Sequence, residues 1–255
     1  MNSIDIIKYL ETLYPKQNAY DWDNVGIQVG SPNNRVRKVL ITLDVTKEVV
    51  QEAIDQKVEL IISHHPLIFK PILNVQTESP RGWIIQKLIK HNICLYSMHT
   101  NYDVTDGGMN DHFASLLGLV NTSLLDDVEG IGRIGDLSNP LPFDEFVQLV
   151  KTLVKQSQIK LIGNARTTIR RVAFSLGSGS QHFSYAKKKG ADLYLTGDVT
   201  YHTALDAEQM GYTILDISHY AEVIFKDNIQ SIVKTQFPDI EILSSIIDTN
   251  PYQTI

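Results

Sequence analysis

The stretch "KVLITLD" at 38 to 44 leads through a helical pattern into "VELIISHH" at 58 to 65, and the same succession returns as "RVAFSLG" at 171 to 177 and "ADLYLTGD" at 191 to 198. A shift of 133 positions superposes Val39 on Val172, Leu43 on Leu176, Ala53 on Ala186, Glu59 on Asp192, Leu60 on Leu193 and Ser63 on Thr196 without a gap. Each unit reads strand, helix, strand, and a right-handed crossover makes the two strands parallel. Units of this kind share spacing and apolar letters by themselves; the ungapped agreement favours duplication over coincidence. The expected architecture is α/β, with two related lobes over 1–128 and 129–255 that form one compact unit. The break is expected near 126–136, where "DDVEGIGRIGD" is rich in Gly and Asp and interrupts the periodicity.

A second echo follows in each half. "NICLYSMHTNYD" at 92 to 103 and "GYTILDISHYAE" at 211 to 222 both run from an apolar strand into a histidine, with a carboxylate three or four residues later, here at a shift of 120. Open α/β sheets bind ligands beyond the carboxyl ends of their strands, so His64-His65, His99 and His219 are expected at one crevice. Pro66 holds His65 in extended geometry and ends the strand. Adjacent side chains of an extended segment point to opposite faces, which would let His64 and His65 each serve a different ion. Taken alone, "HHP" is more often a satisfied strand end than a metal site.

Composition narrows the function classes. The 255 residues are 43% hydrophobic and 20% charged, with a formal net charge of -6. The densest basic run is "KKK" at 187 to 189, so nucleic acid binding is disfavoured as a main role. Cys94 is the only cysteine, which rules out an intramolecular disulfide and a cysteine-rich zinc site and suits a reducing compartment. The segment "MNSIDIIKYLETLY" spaces Ile4, Ile7 and Leu10 as an amphipathic helix and lacks the layout of a signal peptide. No apolar run approaches the length of a membrane span. The expectation is a cytoplasmic protein.

If the strand ends do share a crevice, His64, His65, Asp103, His219 and Glu222 supply three imidazoles and two carboxylates. Such a donor set suits zinc, iron, manganese, cobalt or nickel, and it is too large for one tetrahedral ion and reasonable for two. Each member also has a plainer reading: Asp103 as a cap or turn residue, and "SHYAE" as a capping segment with Ser218 at its start.

"DWDNVGIQVG" (21 to 30), "SHHPLIF" (63 to 69), "SMHTNYDVTDGGMND" (97 to 111), "GDVTYHTALDAEQMG" (197 to 211) and "ISHYAEV" (217 to 223) resemble the successive signatures of the NIF-three-like family, whose members are named GTP cyclohydrolase 1 type 2 homologues. The resemblance runs from the N-terminal helix to about residue 235, in the family's order. It implies a two-lobed α/β fold with a dinuclear metal site in the cleft, His64, His65, Asp103, His219 and Glu222 being the ligands to two divalent ions. His99 is implied as a catalytic or supporting residue. A toroidal homohexamer is implied as well. Two departures are visible: the chain has no room for the extra domain of longer members, and its final His-to-Glu spacing is three where some members have four.

Other motifs are expected to serve the same cleft. "DWDNVG" either brings Asp23 or Asn24 near the metals, with Asn24 contacting substrate, or forms a turn before "IQVG". "DGGMND" and "GSGSQHF" offer small-residue loops at helix starts for an anion or substrate. Asp198 and His202 sit at the strand end equivalent to His64-His65, as a pocket-lining and a proton-shuttling residue. The function so implied is metal-dependent hydrolysis of a nucleotide-like small molecule. Its rival is metal storage or delivery, or a non-catalytic protein that binds a partner or nucleic acid. The tail "DTNPYQTI" is expected to be frayed or used between subunits.

Overall fold

The computed structural model describes residues 1–253 and is a mixed α/β fold with two sheets. The chain begins with α1 (Ser3–Leu13), β1 (Gly26–Val29), β2 (Lys38–Thr42), α2 (Lys47–Asp55), β3 (Leu60–Ser63), α3 (Pro80–Lys90), β4 (Cys94–Ser97) and α4 (Thr100–Val104). It continues through α5 (Met109–Leu116), β5 (Leu119–Asp126), β6 (Ile131–Pro142), α6 (Phe143–Leu153), β7 (Lys160–Ile162), β8 (Thr168–Phe174) and α7 (Phe183–Lys188). It ends with β9 (Leu193–Thr196), α8 (Tyr201–Gln209), β10 (Ile214–Asp216), α9 (Ile224–Gln236) and β11 (Glu241–Ser244). Two compact units result: Met1–Tyr102 together with the chain from Phe225 onward, and Asp103–Ile224.

In the first unit the strand order is β1-β4-β3-β2-β11, with β4, β3, β2 and β11 parallel and β1 antiparallel at the edge. All four residues of β3 and of β4 are buried, as a parallel sheet covered on both faces requires. Helices α2 and α3 pack on it through Val49, Val50, Ala53, Ile84, Ile85 and Leu88. Their starts are set locally: Thr46 accepts the Val49 N–H, and Ser79 accepts the Gly82 N–H with Pro80 in the first turn. Helix α1 buries Ile6, Ile7 and Leu10, the face its spacing predicts.

In the second unit the order is β5-β6-β8-β9-β10-β7, with β8, β9 and β10 parallel and the other pairings antiparallel. Its core gathers Leu125, Ile134, Ala173, Ala186, Tyr194 and Ile214.

The ladders of the two units repeat one another. Val39 pairs with Leu60 and Ile41 with Ile62, while Val172 pairs with Leu193 and Phe174 with Leu195, each pair displaced by 133 (172 − 39 and 193 − 60). Glu59 Oε2 accepts the N–H groups of Arg37 and Lys38, and Asp192 Oδ2 accepts those of Arg170 and Arg171. The second echo differs by one residue from its letters: Ser97 faces Ser63 and Asp216 faces Thr196, so the ladder shift is 119 (216 − 97). His219 therefore stands one residue further from its strand than His99 does.

The Gly- and Asp-rich stretch at 126–136 is the turn and second arm of the β5–β6 hairpin, inside the second unit. Asp126 makes the turn, its Oδ1 accepting the N–H groups of Val128 and Glu129. A hairpin turn and a domain linker share the same composition, so only strand pairing separates them. The tail departs from a frayed end: Ser245 donates to Glu52, and Thr249 donates to Asp44 Oδ2 at 2.7 Å. Thr254 and Ile255 lie outside the described residues. Among the described residues no helix is long and apolar enough to cross a membrane.

Candidate functional site

The chain leaves β3 at Ser63, and the two N–H groups that follow still bond outward, His64 to the Thr42 carbonyl and His65 to that of Leu43. At the bend that follows, the two rings do not diverge: their centroids are 4.9 Å apart at 49°. The expectation of opposite directions fails because residues 64 and 65 have left the pleat, and each ring is steered by its own acceptor. His64 Nδ1 lies 3.0 Å from the Met98 carbonyl, and His65 Nδ1 lies 2.7 Å from Asp44 Oδ1. His99 follows the end of β4, and its Nδ1 lies 3.0 Å from Asp23 Oδ1. One nitrogen from each of the three rings falls within 4.8 Å of the others.

A carbonyl or carboxylate oxygen only accepts, so each of these rings, when neutral, carries its hydrogen on Nδ1 and its lone pair on Nε2. That is the tautomer a metal-ligating histidine adopts when an outer acceptor fixes it. The acceptors are themselves held. Burial opposes ionisation of Asp23, yet the His99 hydrogen bond and charge and the Thr100 hydroxyl and N–H override it and hold the acid at about 2. Asp44 is lowered in the same way, burial being outweighed by His65, Thr249 and His64.

Aromatic rings border this cluster. Trp22 and Phe69 each lie with ring centroids 6.2 Å from His99 and 5.7 Å from one another, and Tyr20 is 5.5 Å from Trp22. Trp22 is 59% exposed and Phe69 is 41% exposed. The Asn24 amide donates to the Ile68 carbonyl and so ties the 21–24 turn to the loop that carries Phe69.

The second unit has donors of its own. His219 Nδ1 lies 2.7 Å from Asp198 Oδ2, and its Nε2 lies 3.2 Å from Glu222 Oε2. Two ligands each about 2.0–2.2 Å from one cation stand at about that separation, so the pair fits a shared ion. Backbone geometry at both supports is unusual for non-glycine residues, with φ of 52° at Asp198 and 68° at Ser218. Left-handed residues of this kind persist where surrounding structure enforces them, commonly at functional sites. Gly177, at φ +65°, leaves room for Glu222: a Cβ there would press into Oε1. Asp103 is buried on α4; its carbonyl accepts from Asn110, whose Oδ1 receives the Leu176 N–H at 3.3 Å beside Gly177.

Asp198 is exposed and lies with its Oδ2 2.7 Å from His219 Nδ1, and it is Asp23 whose carboxylate meets His99. His202 is exposed on α8 with its ring against Tyr201 and belongs to none of the donor groups among the described residues. The "DGGMND" loop meets its own anion: Asp111 accepts the Gly107 N–H and pairs with Arg133. Asp44 had no assigned role in the sequence, and Gly177 entered only as the start of the "GSGSQHF" loop expected to meet a substrate. Asp44 ends the "KVLITLD" run one strand away from His65, a carboxylate at a strand end being the available signal. A further group, Asp126, Glu129 and His182, closes the β5–β6 turn, with His182 Nδ1 3.2 Å from Asp126 Oδ2. Burial opposes ionisation of Asp126, and the Val128 and Glu129 N–H groups and His182 hold its pKa low.

Comparison with known proteins shows the family and the fold. The model of the family Duf34/NIF3 (NGG1p interacting factor 3) matches residues 1–251. A GTP cyclohydrolase 1 type 2 homolog of Streptococcus pneumoniae is 36% identical over 266 aligned positions, covering 100% of both chains. The homolog of Clostridium perfringens is 39% identical over 221 positions, 85% of this chain and 84% of that one. The Bacillus cereus protein related to NIF3 superposes with a TM-score of 0.93 at 28% identity, over 100% of this chain and 99% of that one. The chain belongs to the Duf34/NIF3 family.

Proposed function

We propose that the protein is a dinuclear metal-dependent hydrolase acting on a nucleotide-like small molecule, with His64, His65, Asp103, His219 and Glu222 as ligands to two divalent ions of the zinc, iron, manganese, cobalt or nickel class. One observation carries the reading. In His64, His65, His99 and His219 alike, Nδ1 is committed to an oxygen acceptor, which leaves Nε2 as the donor. The names borne by the relatives from Streptococcus pneumoniae and Clostridium perfringens support the substrate class.

Two such ions would supply Lewis acidity, which makes water a nucleophile near neutral pH and polarises the bond attacked. The protein's own part is positioning and proton handling. Asp44 and Asp198 hold His65 and His219 in one tautomer, and Gly177 lets Glu222 stand beside His219. His99, steadied at Nδ1 by Asp23, takes or returns a proton at Nε2. The resemblance also implies a toroidal homohexamer, and the repeated ladder register of β2–β3 and β8–β9 supports an origin by duplication.

Elemental mass spectrometry on tag-free protein, wild type beside Asp103→Ala, tests the reading. About two ions per wild-type chain, fewer in a folded variant, and metal-dependent turnover of a nucleotide in a hydrolase screen that includes GTP are expected. No metal after reconstitution with zinc, manganese and iron would overturn it. Two ions without turnover would leave storage or delivery as the function.

A further inference from the structure

The proposed reaction centre requires a means of holding its substrate, and the first unit contains one outside the donor set. We propose that Trp22 and Phe69, beside His99, form a stacking platform for the planar heteroaromatic ring of the ligand, a nucleobase being the chemical class that fits. The inference rests on the imidazole cluster being a reaction centre and adds which part of the substrate is gripped, and by what.

Large aromatic side chains normally bury most of their surface, so two exposed ones in contact require an explanation. Here they are neither scattered nor loose. Trp22 directly precedes Asp23, whose carboxylate is fastened to His99 and to the N–H and hydroxyl of Thr100. Tyr20 is held by its N–H, which donates to Thr100 Oγ1 at 3.1 Å. Phe69 follows Ile68, whose carbonyl accepts from Asn24 and whose N–H donates to Gln28 Oε1 at 3.2 Å. Both ring carriers are thus pinned to the residues that orient His99, and the platform exists before any ligand arrives. Preorganisation of this kind lowers the ordering cost of binding.

Position selects the ligand class. A flat ring stacked on Trp22 or Phe69 lies next to the His99 imidazole, 6.2 Å from either ring centre, within reach of the group proposed to move the proton. Aliphatic ligands gain little from exposed π faces, whereas every nucleobase has a face to offer, and a phosphorylated sugar is the control for stacking by the ribose alone. The planes of Trp22 and Phe69 meet at 61°, and His99 meets them at 73° and 78°, so a flat ring stacked on one of the pair abuts the other and the imidazole.

Trp22 and Trp83 are the only tryptophans, and Trp83 lies elsewhere, between Lys47 and Lys87. A Trp83→Phe background therefore makes fluorescence a report on Trp22 alone. Guanosine monophosphate should quench that emission saturably, and ribose 5-phosphate should not. By calorimetry, Trp22→Leu and Phe69→Ala should each weaken guanosine monophosphate binding roughly ten-fold, and Trp22→Phe should restore most of it. Equal quenching by ribose 5-phosphate, or affinity unchanged in both truncations, would overturn the platform. So would a changed oligomeric state in the truncations with affinity intact, which would assign the rings to a subunit contact. Metal content is measured separately, so loss of the platform with two ions retained strikes this inference alone, and absence of metal strikes the hydrolase reading.

Discussion

The Asp44 carboxylate is shared between His65 and the C-terminal tail: Oδ1 lies 2.7 Å from His65 Nδ1, and Oδ2 receives the Thr249 hydroxyl at 2.7 Å. Removing its charge while keeping its shape should loosen the His65 ring without unfolding the chain. Asp44→Asn is expected to weaken metal binding about 10–100-fold, the range for outer partners of ligating histidines. Thr249→Val should move it in the same direction by less. Competition against a chromogenic chelator measures both, and an unchanged affinity in Asp44→Asn would show that His65 is not a ligand.

Gly177→Ala meets two obstacles, a left-handed backbone and the Glu222 carboxylate. The backbone alone costs about 1–2 kcal/mol for an L side chain. Urea unfolding should show at least that loss, and metal content should fall in the folded variant because Glu222 must move. A variant with wild-type metal content would mean that Glu222 does not bind.

Acid stability should depend on Asp23. Its folded pKa is about 2, below the ordinary carboxylate value of 3.8. A depressed carboxylate contributes stability above its unfolded pKa, and that contribution is lost as pH falls from about 4 toward 2. The buried pair is worth roughly 2 kcal/mol at neutral pH by this linkage. Thermal unfolding at pH 5, 4 and 3 should decline more steeply in wild type than in Asp23→Asn; parallel curves would remove Asp23 from the account.

Cys94 is fully buried in β4, and burial pushes its thiol up to about 11. The thiolate is the reactive form, so the native protein should resist a disulfide reagent at pH 8 and yield one thiol when unfolded in guanidinium. Fast labelling of native protein would mean that β4 opens readily.

The strand-helix-strand units were legible because continuous apolar runs such as "VELII" and "ADLYL" stand at the same spacing after a helical pattern in both halves. The residue classes of the site were legible too, since His64, His65, His99 and His219 stand at strand ends. The edge strands β7 and β11 were not: both are short or part-exposed, and nothing local distinguishes them from loops until they pair. The hairpin at 126–136 carries the composition of a linker. Ring direction at His64 and His65 was illegible for a related reason, because one bend after Ser63 reverses what strict alternation dictates.

By itself, then, the sequence determined the family, the parallel βαβ units and the types of donor at their ends, all of which follow from short-range pattern and residue chemistry. Only the tertiary structure decided which carboxylate holds which imidazole. Asp44 reaches His65 and Asp198 reaches His219 across separations of 21 residues, and Asp23 reaches His99 across 76. Those meetings depend on strand register and on the left-handed turns at Asp198 and Ser218, where a shift of one residue would send each side chain to another partner.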